Sequence, residues 1–126
     1  MLLKDYVASL ERLLSSTPFV MGTSLSYEER PPTAGLIKAA ITFSDGSQLD
    51  IREFLMLEPA VQTLKYAYHY RKADRLIFRY DNANDPAAKG LSTFPCHKHA
   101  SERILEAEKP SLEQVLKEII SQIQYP

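Results

Sequence analysis

The chain has 126 residues, 44% hydrophobic and 25% charged, with four Gly, eight Pro and a single Cys, a composition that excludes disordered, collagenous and disulfide-stapled classes and leaves one globular domain over 1–126. Lone Cys96 suits a reducing compartment, Lys4 and Asp5 interrupt the only apolar start, and the longest uncharged run, residues 13–27, contains Pro18 and Gly22, so a cytoplasmic protein with no membrane partner is expected. Net charge is −1, yet residues 65–103 carry +4 with all three histidines, against −5 for the remainder; whole-surface attraction to nucleic acid is excluded, whereas a local phosphate-accepting face is not.

Leu3, Tyr6, Leu10, Leu13 and Leu14 recur at helical spacing, predicting an amphipathic helix over 2–15 that Pro18 ends. Strands are then expected over 20–28 and 36–43. Ala39, Ile41 and Phe43 alternate with polar or small residues, as do Leu49 and Ile51. A two-residue Asp45-Gly46 turn would set Ile41 opposite Asp50, mixing apolar and charged side chains on one face. A three-residue loop, Ser44-Asp45-Gly46 with Gly46 left-handed, instead sets Ile41 opposite Leu49 and Ala39 opposite Ile51, and is preferred. The second of these strands extends through 53–57.

In the next hairpin Leu64, Tyr66, Tyr68 and Tyr70 share one face with Leu76, Phe78 and Tyr80. With Lys72-Ala73-Asp74 as the loop, Tyr70 faces Leu76, Tyr68 faces Phe78 and Tyr66 faces Tyr80, and the tyrosines belong to the core rather than to a base-stacking platform. The opposite face gathers Lys65, His69, Arg71, Arg75, Arg79 and Asp81, with His69 one diagonal step from Arg79. Residues 81–99 lack periodicity and contain Pro86, Gly90 and Pro95, predicting a long loop that ends in the titratable run Cys96-His97-Lys98-His99. Residues 102–108 are a candidate sixth strand. Ser111 and Gln114 form a capping box, opening a second helix whose face carries Leu112, Val115, Leu116, Ile119, Ile120 and Ile123. The expected fold is α+β: one mostly antiparallel sheet of five or six strands with an N-terminal and a C-terminal helix.

Five strings in order, Phe43-Ser44-Asp45-Gly46-Ser47, Arg52-Glu53-Phe54, Tyr66-Ala67-Tyr68-His69-Tyr70, Phe78-Arg79-Tyr80-Asp81-Asn82-Ala83 and Thr93-Phe94-Pro95-Cys96-His97-Lys98-His99, resemble the TumE-type family of type II toxin–antitoxin toxins. The resemblance covers nearly the whole chain. It implies a small prokaryotic growth-inhibiting toxin encoded beside a cognate antitoxin. The chain departs from the family pattern at Asn84-Asp85 and at Cys96, where histidines are common.

The chemistry these residues suggest is metal-independent RNA cleavage through the ribose 2′-OH, which needs a base, an acid and positive charge for the crowded phosphate. His69 with His97 or His99 supplies the proton carriers, Arg79 and Lys98 the phosphate charge, and Asp81 an orienting carboxylate. Lys65, Arg71, Arg75 and Asn82 are candidate substrate-binding residues. A second reading places a metal on His97 and His99 with Cys96 or Asp81, but no Cys-x-x-Cys or His-x-x-x-His pattern completes a ligand set, so no metal and no cofactor are expected. A third is a non-enzymatic module that binds RNA or protein through the basic face, alone or as a homo-oligomer. Serine-nucleophile and Gly-rich phosphate-binding motifs are absent from the sequence.

Overall fold

A computed structural model describes residues 2–123. Helix α1 spans Leu3–Ser15; strands β1 to β5 span Val20–Arg30, Ala34–Phe43, Gln48–Met56, Gln62–Lys72 and Arg75–Asp81. A short 3-10 turn at Pro86–Ala88 precedes β6 (His97–Ala100), β7 (Arg103–Glu106) and helix α2 (Leu112–Gln122). The strands form one seven-stranded antiparallel meander in chain order. The α+β expectation therefore holds with seven strands instead of five or six.

Both helices cover the same face. Leu3, Val7, Leu10 and Leu14 of α1 and Leu112, Val115, Leu116 and Ile119 of α2 are buried with Ile37, Ile41, Leu49, Ile51, Tyr68, Tyr70 and Phe78 in one cluster. Two polar ties fix them: the Tyr6 hydroxyl donates to Glu53 at 2.7 Å, and the Tyr80 hydroxyl donates to Glu118 at 2.7 Å. Close approach of α1 depends on Gly35, where a Cβ would lie 2.9 Å from a Leu3 methyl. The Ser111 capping box forms as expected, its hydroxyl accepting from the Gln114 backbone and the Gln114 side chain accepting from the Ser111 backbone.

The β2–β3 hairpin adopts the three-residue loop, with Gly46 at φ +84° and Ile41 opposite Leu49. The β4–β5 hairpin differs from expectation. Lys72 pairs Arg75 around a two-residue turn in which Ala73 takes φ 54°, and a bulge leaves Ile77 between the Arg71–Leu76 and Tyr70–Phe78 pairs. Tyr68 thus faces Tyr80, and Leu76 is exposed rather than part of the aromatic layer. The shorter turn and the residue inserted by the bulge each shift the register by one, so His69 comes directly opposite Arg79 instead of diagonally. Tyr66, Tyr68 and Tyr70 are all buried.

The loop after β5 is shorter than expected, because its final residues pair with both neighbours. β6 lies between β5 and β7 and turns back through Ser101 and Glu102, both at positive φ. That geometry favours Asn or Gly, so Ser101-Glu102 carries no turn signature in the sequence.

Candidate functional site on the open sheet face

Strict alternation sends every second residue to the face the helices leave open. Two rows cross that face. The first runs Ser24, Ala40, Asp50, His69, Arg79, His99; the second runs Ser26, Lys38, Arg52, Ala67, Asp81, His97. Small side chains at Ala40 and Ala67 sit between larger neighbours, leaving a groove of about 480 Å³ walled by Lys38, Asp50, Arg52, His69 and Arg79. A second depression of about 500 Å³ adjoins it and reaches Lys65, Asp81 and Asn82.

Asp81 is the hub at the groove's end. Its side chain is only 4% exposed, with Arg79 Nε 2.9 Å from Oδ2 and His97 Nε2 3.1 Å from Oδ1, neither as an aligned hydrogen bond. Oδ1 also accepts the Ala83 backbone N–H at 2.9 Å. His99 Nε2 stands 3.9 Å from Asp81 Oδ2 and 3.8 Å from Asp85 Oδ2. His97 is buried, and its Nδ1 lies 2.7 Å from the Pro95 carbonyl. A carbonyl can only accept, so Nδ1 carries a proton and donates it there. The two imidazoles meet edge to face with centroids 4.8 Å apart.

The segment 82–96 closes over this end. Asp85 caps the short 3-10 turn by accepting from the Ala87 N–H, and Ala88 is fully buried. Thr93 Oγ1 donates to the Cys96 carbonyl and accepts from the Ala107 N–H, bracing the end of the segment and tying it to the chain beyond β7.

His69 sits in the open part of the groove. Burial first, then the neighbouring Arg79 guanidinium and Arg71, hold its imidazole below the ordinary histidine value, against an opposing pull from Asp50. Asp50 in turn accepts from Gln48 Nε2 at 3.0 Å and from Arg71 Nε at 3.4 Å.

The structure thus brings His69, Arg79, Asp81, His97 and His99 onto one face, with Lys65 and Arg71 at its margins. Lys98 is not among them. Between two outward histidines in β6 it must point inward, where its ammonium meets Glu118 at 2.7 Å and lies 4.8 Å from the Tyr80 ring centroid. Burial alone would lower its pKa, but the Glu118 and Tyr80 contacts outweigh it and raise the value. Asn82 is occupied too: its side chain donates to the Leu64 carbonyl and accepts from the Tyr66 N–H, continuing the ladder past the end of β5. Arg75 is exposed at the hairpin tip beyond the groove. Cys96 packs against the core beside Tyr66 and takes no part in the cluster.

Three groove residues, Lys38, Asp50 and Arg52, escape a reading centred on the basic segment. The preferred β2–β3 register contains the signal for them, since Ala39 opposite Ile51 sets Lys38 opposite Arg52 and Ala40 opposite Asp50. Like charges directly opposite one another are unfavourable in a sheet unless an anion lies over them.

A family model described as Toxin TumE matches residues 10–124. The chain belongs to the TumE toxin family. Comparison with curated proteins and with solved structures gave no match. The matched stretch takes in every strand and all of α2, so each groove and cluster residue lies inside it. Among the described residues no helix is long and apolar enough to cross a membrane.

Proposed function

We propose that this TumE-family chain is the toxin of a cytoplasmic type II toxin–antitoxin pair and acts as a ribonuclease on the open sheet face. The observation that carries the reading is the row His69, Arg79, His99 on three adjacent strands. A phosphate seated over Arg79 has an imidazole on either side, with about 10 Å, two strand spacings, between the two backbones. His69, kept neutral by burial and by Arg79, takes the 2′-OH proton. His99, partly exposed and backed by Asp81 and Asp85, returns a proton to the leaving 5′-oxygen. Acid and base work of this kind contributes on the order of 10² to 10⁴ in rate for each group. Buried His97 does not reach a substrate; it and Arg79 hold Asp81 in place. Lys38 and Arg52 extend the charge along the groove toward neighbouring phosphates.

The cognate antitoxin is most simply an acidic segment laid over the same groove, since it then blocks the substrate path and uses the local positive field together. A second reading, a module that binds RNA or protein without cleaving, draws on the Lys38–Arg52 pair alone.

The test is incubation of purified protein with end-labelled single-stranded RNA in EDTA. Cleavage with products ending in 2′,3′-cyclic phosphate is expected, with His69→Gln and His99→Gln each lowering the rate at least about 100-fold while RNA binding persists. Binding without cleavage in the parent protein would replace the ribonuclease by the binding module. Absence of low-salt RNA binding would remove RNA from the reading.

A further inference from the structure

His97 is 1% exposed, yet its Nε2 has no hydrogen-bond partner. The ring cannot relieve this by turning, because Nδ1 is committed to the Pro95 carbonyl at 2.7 Å. In the tautomer fixed by that bond Nε2 bears a lone pair, and it lies 3.1 Å from Asp81 Oδ1 out of line for a hydrogen bond. Two acceptors facing each other in a buried position repel unless a proton or a cation lies between them. A backbone carbonyl on one imidazole nitrogen is also the arrangement that orients the other toward a metal ion.

The surrounding atoms match such an ion. One ligand atom each from Asp81, His97 and His99 can be chosen so that all lie within 4.8 Å of one another. The individual approaches are 3.1 Å for His97 to Asp81, 3.9 Å for His99 to Asp81 and 3.8 Å for His99 to Asp85. Ligands at the usual zinc bond lengths stand about 3.3 Å apart around a tetrahedron, close to the spacing within the group Asp81, His97 and His99, while Asp85 approaches that group through His99. Arg79 on Asp81 Oδ2 and the Ala83 N–H on Oδ1 supply the outer contacts that hold a ligating carboxylate. Two imidazoles with one or two carboxylates favour zinc and its first-row neighbours over magnesium and calcium, which prefer all-oxygen sites.

We propose that Asp81, His97 and His99, with Asp85 on the solvent side, form a binding site for a divalent ion of the zinc class. Occupancy ties segment 82–96 to β5 and β6, because Asp85 lies in the segment and the other ligands lie in the strands. It also engages the His99 lone pair, so the loaded site and proton carriage by His99 exclude one another. Zinc would then switch the proposed cleavage off.

The inference does not rest on RNA as the substrate, and its test needs none. EDTA-stripped full-length protein is dialysed against micromolar Zn²⁺, or separately Co²⁺, and the bound metal is quantified. One ion per chain, a raised melting temperature and the visible absorption of four-coordinate Co²⁺ are expected, with excess Mg²⁺ unable to compete. His97→Gln risks unfolding the buried site, so His99→Gln, on a partly exposed side chain, is the decisive variant and should weaken uptake more than about tenfold. Cys96→Ser should retain full uptake. Substoichiometric binding, unchanged binding in His99→Gln, or binding lost in Cys96→Ser would overturn the site. If zinc binds as stated but RNA is cleaved only by the loaded protein, the metal site stands and the acid–base reading alone falls.

Discussion

Glu53 and Asp81 are both 3% exposed, on opposite faces of the same sheet, and their surroundings separate structure from chemistry. Glu53 faces the helices and accepts from two neutral phenols, Tyr6 at 2.7 Å and Tyr68 at 2.5 Å. Burial, with the Glu53 charge behind it, drives both hydroxyls well above the ordinary tyrosine range, so they only donate. Nothing in that arrangement moves a proton at neutral pH. Asp81 meets a guanidinium and two imidazoles, groups that carry charge or exchange protons near neutrality. A carboxylate held by phenols is a staple for α1, whereas one held by Arg and His is the candidate for chemistry on which the proposed function rests.

Isosteric substitutions should split the two. Asp81→Asn is expected to lower the proposed RNA cleavage at least about 100-fold, and with it growth arrest, since the amide no longer balances His97, Arg79 and His99. Glu53→Gln is expected to cost about 2 kcal/mol of stability, because two charge-assisted bonds become neutral ones, while cleavage per folded molecule stays near the parent value. Urea melts and rates normalised to folded protein would measure both. A Glu53→Gln protein as stable as the parent, or one fully folded but inactive, would erase the distinction.

The helix face was far more legible than the groove. Alternation at Ala39, Ile41 and Phe43, the Ser44-Asp45-Gly46 loop and the Ser111 cap are local signals, and each appears as expected in β2, β3 and α2. The β6–β7 hairpin has no such signal, because Ser101 and Glu102 adopt positive φ through tertiary pairing rather than residue preference. The Ile77 bulge is likewise silent, and only together with the shorter Ala73-Asp74 turn does it set His69 opposite Arg79. Lys98 shows the cost of grouping residues by proximity in sequence: His97 and His99 share a face only because the residue between them does not.

That parity supplies a smaller test. Lys98→Met keeps an unbranched apolar side chain in the place of the lysine while removing the ammonium that lies over the Phe78 and Tyr80 rings and meets Glu118. Cleavage should be unchanged and stability should fall by no more than about 1 kcal/mol, the scale of a partly exposed ion pair. A large loss of cleavage with the fold intact would return Lys98 to the site and contradict its inward orientation.

The smallest expected effect concerns the proton on His69. Its imidazole is held below the ordinary value of 6.5 by burial first and by Arg79 second, with Asp50 pulling the other way. A depressed histidine pKa means that the unfolded chain binds the proton more readily. Its share of stability is therefore present above about pH 6.5 and is lost as the pH falls toward the folded value. The same depression keeps His69 available as a base below pH 6.5, so the acid limb of cleavage should lie there. Arg79→Gln removes only the second cause, and should move the His69 titration followed by proton NMR part of the way back toward 6.5. Asp50→Asn removes the opposing carboxylate and should move it further down. Shifts of opposite sign from these two neighbours in one row would place His69 electrostatically between them, as the pairings of β3, β4 and β5 do geometrically. A titration indifferent to both would detach His69 from the row on which the ribonuclease reading depends.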